Sequence, residues 1–295
     1  MRENIIILGA QGFIGINLIK LLSNKKINLI GVGNKSLNKN FLNKLNCKFI
    51  CTNIFEKKLY DKYININSTV IFLASIQNKN FIVNFTSLIN HFKKKKIKKI
   101  IFLSSSSLYG NNKSIINEEA VLKPINSQGH FFLKLEKIIA KNLYKSKIST
   151  IILRVFNVYG PYRKKRGLIE QMIISFLKNE KINIQSKSFL RSYIGVKDLC
   201  KIIDTFIKYD LKQKLLLNVY NKKFILSFDK IYQILKKQFN KDLFINYSIN
   251  KKVIKNSVCK SLKISRILKF KMDNNFNEEI IKLIKHYKKN ENYFV

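Results

Sequence analysis

The sequence predicts an α/β protein built on a doubly wound parallel sheet, followed by a smaller C-terminal α+β part. Three observations carry this prediction. In the first half of the chain, short apolar segments alternate with segments of helical periodicity, the pattern of a parallel sheet with crossover helices. A glycine-rich turn at residues 9–15 directly follows the first apolar segment. After Pro161 the alternation loosens, and we place the smaller part there.

The predicted elements follow from these apolar patterns in chain order. Strands are predicted at 5–8, 28–32, 48–53, 69–75, 99–105, 149–157 and 215–220. Helices are predicted at 13–22, 80–94, 130–145, 167–178, 197–208 and 227–239, with a last amphipathic helix ending near Lys288. We expect one domain over residues 1–160, to which segments near 192–222 return, and a second part over 161–295.

The composition is that of a globular chain with an unusual charge. Hydrophobic residues make up 46% of the sequence, yet the formal net charge is +40. A clustered basic surface would recruit nucleic acid or an anionic membrane. Here lysine is spread along the whole chain with abundant asparagine and isoleucine, which indicates a compositional bias in codon use. We therefore regard nucleic acid as an unlikely partner, and read the run 93–96 as a solvated helix end.

Cysteine, histidine and hydropathy patterns favour a reduced, metal-free, cytoplasmic protein. The four cysteines lie in apolar surroundings without paired CxxC spacing, which favours free thiols over a disulfide or zinc site. His91 and His286 are isolated and lack the spacing of metal ligands. No apolar run approaches the ~20 residues of a membrane span, and the start MRENIIILGA does not resemble a signal peptide.

The turn GAQGFIG places three glycines between the first strand and the first helix. Gly9 suits a tight turn, Gly12 permits close backbone approach to a pyrophosphate, and Gly15 permits close packing of helix on strand. The chain has only ten glycines, so three within seven residues are informative. We predict dinucleotide binding here; the alternative is a purely structural turn in another α/β protein.

The GxxGxxG spacing and four later segments resemble one family. These segments are VIFLAS (70–75), IFLSSSSLYG (101–110), LRVFNVYGP (153–161) and RSYIGVKDL (191–199). Together they are similar to the NAD-dependent epimerase/dehydratase family of extended short-chain dehydrogenases/reductases, which acts on nucleotide sugars. The resemblance runs from residue 5 to about 287. It implies a Rossmann-type NAD(P)-binding domain, a smaller substrate-binding part, and a homodimer formed through helices 80–94 and 130–145.

The resemblance also implies a set of cofactor contacts. They are Gly9, Gln11, Gly12, Phe13, Ile14, Gly15, Asn34, Lys35, Asn53, Ile54, Leu73, Ala74, Ser75 and Lys134. The end of the second strand departs from the NAD pattern, because an acidic residue is expected there and Gly33, Asn34 and Lys35 follow one another instead. Either NAD or NADP therefore fits, with a slight preference for NADP.

The catalytic residues implied by the resemblance are Ser105, a tyrosine at position 130, and Lys134. Position 130 is histidine, in the stretch SQGHFFLKLE. Histidine side chains exchange protons near neutral pH, so His130 is a reasonable acid/base, but its side chain is shorter than that of tyrosine. Three alternatives stay open: an active enzyme that uses His130, an active enzyme that uses another group, and loss of redox catalysis.

Reaction and substrate are predicted more coarsely. Ser106 and Ser107 replace the Asp-Glu pair of the family's 4,6-dehydratases, which leaves sugar epimerisation, with keto-sugar reduction as the alternative. The residues that resemble substrate contacts are Ser105, Asn157, Arg191 and Arg266, and a guanidinium suits a diphosphate. Asn84 resembles a supporting asparagine of the site. Asp198 is better interpreted as a helix-start residue than as a catalyst.

Overall fold

A computed structural model describes residues 3–34, 42–74, 80–111, 115–163, 167–209, 214–248, 254–267, 271–273 and 275–290. Two of the predicted cofactor residues, Lys35 and Ser75, lie outside these ranges. The described strands are β1 Asn4–Leu8, β2 Asn28–Gly33, β3 Cys47–Cys51, β4 Thr69–Phe72, β5 Lys99–Ser105, β6 Ser149–Val155, β7 Asn157–Tyr159, β8 Ile182–Ile184, β9 Arg191–Gly195, β10 Lys214–Val219, β11 Ile225–Leu226 and β12 Ile245–Tyr247.

Seven strands form one parallel sheet in the order β10-β6-β5-β4-β1-β2-β3. From β1 the chain moves outward through β2 to β3, then returns to the other side of β1 and continues through β4, β5 and β6. This reversal is the doubly wound arrangement, so the predicted fold class is confirmed. Ligands of such sheets bind beyond the carboxyl ends of the strands, beside the point where the strand order reverses.

The helices of the described residues are α1 Phe13–Leu22, α2 Phe81–Lys94, α3 Ser127–Leu143, α4 Leu168–Lys178, α5 Val196–Lys208, α6 Phe228–Phe239, α7 Lys263–Ile267 and α8 Phe276–Lys289. Most lie within one or two residues of their predicted positions. The apolar side of each longer helix is buried, as its periodicity predicts. None of the helices in the described part of the chain is long and apolar enough to cross a membrane.

Four predicted elements have wrong boundaries. The strand predicted at 48–53 ends at Cys51, and the strand predicted at 69–75 ends at Phe72. The strand predicted at 149–157 ends at Val155, because the Phe156 side chain turns into an apolar cluster and residues 157–159 pair with β9 instead. The helix predicted at 130–145 begins at Ser127, since the Asn126 side chain accepts a hydrogen bond from the Gly129 amide at 2.9 Å and caps it.

The chain divides into two compact units, each built from three segments. Unit 1 comprises Met1–Ser105, His130–Arg154 and Cys200–Leu217, and unit 2 comprises Ser106–Gly129, Val155–Leu199 and Asn218–Val295. Unit 1 holds nearly all of the seven-stranded sheet, with a core that includes the fully buried strand Ile5–Leu8. The predicted division at residue 160 stays a prediction.

Unit 2 contains two small sheets, β11-β9-β7 and β12-β8. Its main core is formed by apolar side chains from α4, α6 and α8 together with those of the small strands. The aromatic rings of Tyr159, Phe224 and Phe276 meet edge to face or tilted within this core. The smaller α+β part predicted from the loosened pattern is therefore present.

Candidate active site

The glycine-rich turn links β1 to α1 with the backbone geometry that its residues require. Gly9 has φ +92°, a left-handed conformation that L-residues rarely adopt, and its amide donates to the Val32 carbonyl at 2.9 Å. A Cβ on Gly15 would lie 2.5 Å from the Ala10 carbonyl oxygen, so only glycine allows α1 to approach this closely. Gly12 is exposed at the start of α1 and offers no side-chain cap. A helix N-terminus that follows such a turn is the kind of backbone arrangement that binds anions in proteins.

The predicted cofactor residues beyond this turn lie at the ends of neighbouring strands of unit 1. The Gln11 side chain covers Gly33 and donates to Asn34 Oδ1 at 3.0 Å, which ties the turn to the end of β2. Leu73 and Ala74 follow β4 and pass closely over Gly9. Asn53 is exposed after β3, whereas the side chain of its neighbour Ile54 is buried. Phe13 and Ile14 are half-buried at the start of α1.

The three predicted catalytic residues all lie in unit 1. Ser105 is the last residue of β5, at its carboxyl end, and is half-buried. His130 and Lys134 are both exposed in α3, one helical turn apart. Residues four apart on a helix share a face, so the imidazole and the ammonium group leave α3 on the same side. Asn84, the predicted supporting residue, is exposed on α2.

A buried ionic network joins α3 to two strands of the sheet. Glu136 of α3 accepts hydrogen bonds from Arg154 of β6, with Arg154 Nη2 to Oε2 at 2.7 Å and Nε to Oε1 at 3.1 Å. Ser104 of β5 donates to Glu136 Oε1 at 2.5 Å. All three side chains are buried, with exposed fractions of 5–7%. Such a bidentate, charge-assisted arrangement has strict geometric requirements.

Unit 2 carries a pocket of about 390 Å³ that contains two of the predicted substrate residues. Asn157 and Arg191 both line it, whereas Arg266 is exposed on α7 and is not among its described lining residues. Asn157 Nδ2 donates to the Ser192 carbonyl at 3.0 Å, and Arg191 Nη2 donates to the Ile254 carbonyl at 2.6 Å. Burial lowers the pKa of the Arg191 guanidinium, so an anion that restores its lost solvation would be favoured.

Two charged residues that line this pocket were not predicted from the sequence as site residues. Arg163 and Glu170 line the pocket and form an ion pair of 3.8 Å between Arg163 Nη1 and Glu170 Oε2. Glu170 is fully buried and accepts a hydrogen bond from the Gly160 amide at 3.0 Å, and burial raises the pKa of its carboxyl. The only sequence signal was the position of Glu170 in the first turn of a helix, where acidic residues are common.

The remaining polar candidates have structural partners. Asp198 Oδ2 accepts a hydrogen bond from the Asp273 amide at 2.7 Å, and His91 Nε2 lies 2.7 Å from Asp61 Oδ1. The cysteines are free thiols; Cys51 is exposed, whereas the other three are buried. Within the described residues, no group of three or more His, Cys, Asp or Glu side chains is arranged to hold a metal ion.

Comparison with known proteins identifies the family. The family model described as NAD dependent epimerase/dehydratase family matches residues 5–219. A dTDP-D-glucose 4,6-dehydratase of Dictyostelium discoideum is 30% identical in an alignment of 255 positions that covers 74% of this chain but only 58% of the length of that enzyme. An ADP-L-glycero-D-manno-heptose-6-epimerase of Brachyspira hyodysenteriae is 28% identical over 231 residues, covering 69% of this chain and 72% of the relative.

Solved structures agree on the fold. A UDP-N-acetylglucosamine 4-epimerase of Methanobrevibacter ruminantium, in complex with UDP-N-acetylmuramic acid, superposes with a TM-score of 0.87 at 22% identity, covering 98% of this chain and 99% of that one. A UDP-glucuronic acid 4-epimerase of Bacillus cereus, in complex with UDP-glucuronic acid and NAD, gives 0.87 at 22% identity over 97% and 99%. The chain belongs to the NAD-dependent epimerase/dehydratase family.

Proposed function

We propose that this chain is an NAD(P)-dependent nucleotide-sugar epimerase. The observation that carries the proposal is the arrangement in unit 1, where Ser105 ends β5 and His130 and Lys134 leave α3 on one face. The motif resemblance supports this choice, since Ser105 and Lys134 stand where the family's motif has its hydroxyl residue and its lysine, and His130 stands where it has its tyrosine. The named activities of similar proteins, which include 4-epimerases of UDP-sugars, support the same choice.

In the proposed reaction, His130 would take the proton of a sugar hydroxyl and later return it. Ser105 would orient the hydroxyl oxygen, and Lys134 would hold the nicotinamide ribose. A dinucleotide bound in unit 1 would supply reversible hydride acceptance at the same carbon, so that the two epimers interconvert without net oxidation. The imidazole is shorter than a phenol, so the sugar must sit closer to α3 than in relatives with tyrosine, or a water must bridge.

The proposed cofactor is NAD or NADP, with a slight preference for NADP. The glycine-rich turn, the Gln11–Asn34 hydrogen bond and residues 53–54 and 73–74 line the proposed site. Asn34 is exposed at the end of β2 and brings no negative charge that would repel a 2′-phosphate. The structural neighbours named with a cofactor contain NAD. Native mass spectrometry of the purified protein, together with titration of both dinucleotides, decides between them.

The proposed substrate is a nucleotide sugar held by the unit 2 pocket. Asn157 hydrogen-bonds the sugar nucleotide, and the Arg191 guanidinium binds its diphosphate. Arg266 is retained as a second proposed phosphate contact on the strength of the family resemblance. We further propose that the protein is a cytoplasmic homodimer. We do not expect it to bind membranes or nucleic acid, since its lysines are spread over the whole chain.

The central test is turnover of a nucleotide-sugar panel by the native protein and by His130→Ala. Loss of a positioned acid/base lowers a rate by about 10²–10⁴-fold, and we expect a fall of this size in kcat. Lys137→Ala, which alters an exposed lysine elsewhere on α3, is the matched control and should retain full activity. Undiminished turnover by His130→Ala would show that another group transfers the proton.

Two alternatives are distinguished by the same assay. A keto-sugar reductase is favoured by the missing carboxylate at the end of β2, and would consume NADPH stoichiometrically with a keto-sugar rather than interconvert two sugars. A catalytically idle member is favoured by the histidine at position 130, and would retain dinucleotide without turnover of any sugar in the panel.

A further inference from the structure

We propose that Ser104, Glu136 and Arg154 act as positioning residues that set the rotation of α3 about its own axis. In doing so they place His130 and Lys134 relative to Ser105. The inference rests on the proposed function for the roles of those last three residues. The network itself touches neither sugar nor cofactor in this proposal, and its effect reaches the reaction through the orientation of the helix.

The geometry of the network fixes the orientation of the Glu136 carboxylate. Glu136 is held by the Arg154 guanidinium through Nη2 at 2.7 Å and Nε at 3.1 Å, and by the Ser104 hydroxyl at 2.5 Å. The arginine comes from β6 and the serine from β5, so a single carboxylate of α3 is fixed to two strands. A guanidinium fork accepts a carboxylate in few orientations, and the buried setting excludes competing water.

The helix period explains why fixing Glu136 orients the proposed catalytic residues. At 100° per residue, Glu136 stands about 160° from Lys134 and about 120° from His130 around the axis of α3. Glu136 is buried, whereas His130 and Lys134 are exposed, as this separation requires. A small rotation of the helix would therefore displace the imidazole and the ammonium group relative to Ser105.

Apart from Glu136, the buried side chains of α3 are apolar. Its buried side chains include Phe132, Leu135, Ile139 and Leu143, whose packing has no strong directional preference. Buried polar groups can specify one arrangement among several that apolar packing would tolerate, and we assign that role to Glu136 here. Without it, α3 would still pack on the sheet but with a less defined rotation.

The Ser104 contact places this network directly beside the proposed site. Ser104 is bonded to Glu136, and the next residue along β5 is Ser105, whose hydroxyl we assign to the sugar. The strand that carries Ser105 and the helix that carries His130 and Lys134 thus share one buried carboxylate. The separation between the proposed proton acceptor and the oxygen-orienting hydroxyl depends on this connection.

The test replaces the whole network, because removing one partner would leave a buried charge without its counter-ion and could unfold the protein. The triple variant Ser104→Ala/Glu136→Met/Arg154→Met substitutes apolar groups of comparable size. We expect it to fold and to melt cooperatively. Its crystal structure should show α3 rotated, with His130 and Lys134 displaced relative to Ser105, and its kcat should fall at least tenfold with KM changed less than twofold.

The conservative variant Arg154→Lys refines the test. Lysine preserves the charge but lacks the planar fork, so we expect a kcat between those of the native protein and the triple variant. A loss caused only by reduced stability would instead follow the melting temperature, and lowering the assay temperature would restore it.

The matched control is a second ion pair of unit 1, between Lys25 and Asp204, whose elements carry none of the proposed catalytic residues. The variant Lys25→Met/Asp204→Leu should leave α3 and kcat unchanged. An unmoved α3 in the triple variant, or a kcat equal to that of the native protein, overturns the positioning role. If the native protein turns over no nucleotide sugar, the proposed function fails, and the position of α3 in the triple variant still decides the inference.

Discussion

Glu279 is a carboxylic acid placed where it is costly to ionise. It reaches from α8 to the Tyr159 hydroxyl, which donates to its Oε2, and it lies against the backbone of Gly195, where a Cβ would come within 3.0 Å of both carboxyl oxygens. Burial raises its pKa from 4.5 to about 7, and the nearby Lys282 ammonium opposes this only in part. The charge state of this half-buried residue of unit 2 therefore changes close to neutral pH.

The variant Glu279→Gln should remove a pH dependence of stability. Because the folded-state pKa is raised, the stabilisation linked to the bound proton is complete below the unfolded value near 4.5 and is lost as the pH rises through about 7. The shift corresponds to at most about 3 kcal/mol. Urea unfolding should thus show Glu279→Gln gaining stability relative to the native protein between pH 5 and pH 8.

The exposed neighbour Glu278 provides the comparison for this prediction. Glu278→Gln removes an exposed carboxylate from the same helix and is the control for the loss of a surface charge. Parallel pH curves for Glu279→Gln and the native protein would contradict the assignment of the pH dependence to Glu279.

At this same scale, a motif resemblance can propose some residues and not others. Ser105, His130 and Lys134 are proposed because they stand at the intervals of the family's motif, and their roles stay predictions. Glu279 and Glu170 are more than 100 residues apart in sequence, and the burial that raises the pKa of each depends on packing of distant elements. Likewise, no local pattern could reveal that Glu136, Ser104 and Arg154 meet.

Among the elements, the turn before α1 contains Gly12, for which we propose a role in dinucleotide binding, and α1 contains Gly15, which packing requires to be glycine. A Cβ on Gly15 would lie 2.5 Å from Ala10 O and 2.6 Å from Gly9 O, whereas one on Gly12 would meet only Gly9 O at 3.2 Å. We expect Gly15→Ala to lower the melting temperature by several degrees. Gly12→Ala should melt near the native temperature and bind the dinucleotide at least tenfold more weakly.

Calorimetric titration and thermal melting of both variants measure these two effects separately. Equal dinucleotide affinity in Gly12→Ala and the native protein would show that the turn is structural only, the alternative that the sequence left open. A Gly15→Ala variant as stable as the native protein would contradict the close approach of α1 to the turn.

The carboxyl end of α5 depends on a lysine from another element. Lys99, at the start of β5, is 1% exposed and donates to the carbonyls of Phe206, Ile207 and Tyr209 at 2.7–2.8 Å. A cation at this end of a helix also complements its dipole. Lys99→Met should therefore cost roughly 3 kcal/mol of unfolding free energy, since buried carbonyls lose their donor.

The adjacent residue is the control for this prediction. Lys98 is exposed, and its Nζ forms a long surface ion pair of 3.7 Å with Glu3 Oε1. Because such pairs contribute little, Lys98→Met should change the unfolding free energy by less than about 1 kcal/mol. Similar losses for the two variants would mean that the carbonyl contacts of Lys99 are not the source of its contribution. Urea denaturation of both proteins provides the comparison.

Element boundaries were predictable where periodicity alone decides them. The prediction for α1 agrees with the structure at both ends, because its apolar stripe and flanking turn coincide. The break between β6 and β7 was missed, since LRVFNVY contains no glycine or proline that would mark it and the pairing with β9 divides the segment. The early start of α3 depends on the Asn126 cap, a single side-chain contact that an apolar pattern does not record.

On the scale of the whole molecule, the proposed homodimer gives a testable surface. Val83 is 70% exposed on the outer side of α2, beside the exposed Asn84. In a symmetric dimer formed through α2 and α3, each new charge on this face would meet its copy. Val83→Lys should shift the mass measured by light scattering from dimer to monomer without changing the circular dichroism spectrum.

Leu59 supplies the control, because it is 57% exposed in a short turn outside both helices. Leu59→Lys should preserve the measured mass. A native protein that is already monomeric would contradict the proposed assembly, and its activity would then have to arise within one chain.

The overall fold was the most predictable level. The alternation of strand and helix repeats over about 150 residues, and the glycine-rich turn marks its start. The net charge of +40 carries no information about the fold, since composition does not determine topology. The sugar and the nucleotide base were not predictable, because the unit 2 pocket brings together side chains from distant segments such as 157–170 and 183–193.

The strand order of the main sheet has a consequence for synthesis. β10, which completes the sheet beside β6, lies about 60 residues after β6 in the chain. Unit 1 therefore cannot close its sheet on the ribosome until residue 217 has emerged, and until then β6 presents an open edge. Such distant pairing slows folding. During this interval the nascent chain should be prone to misassociation and should benefit from chaperones.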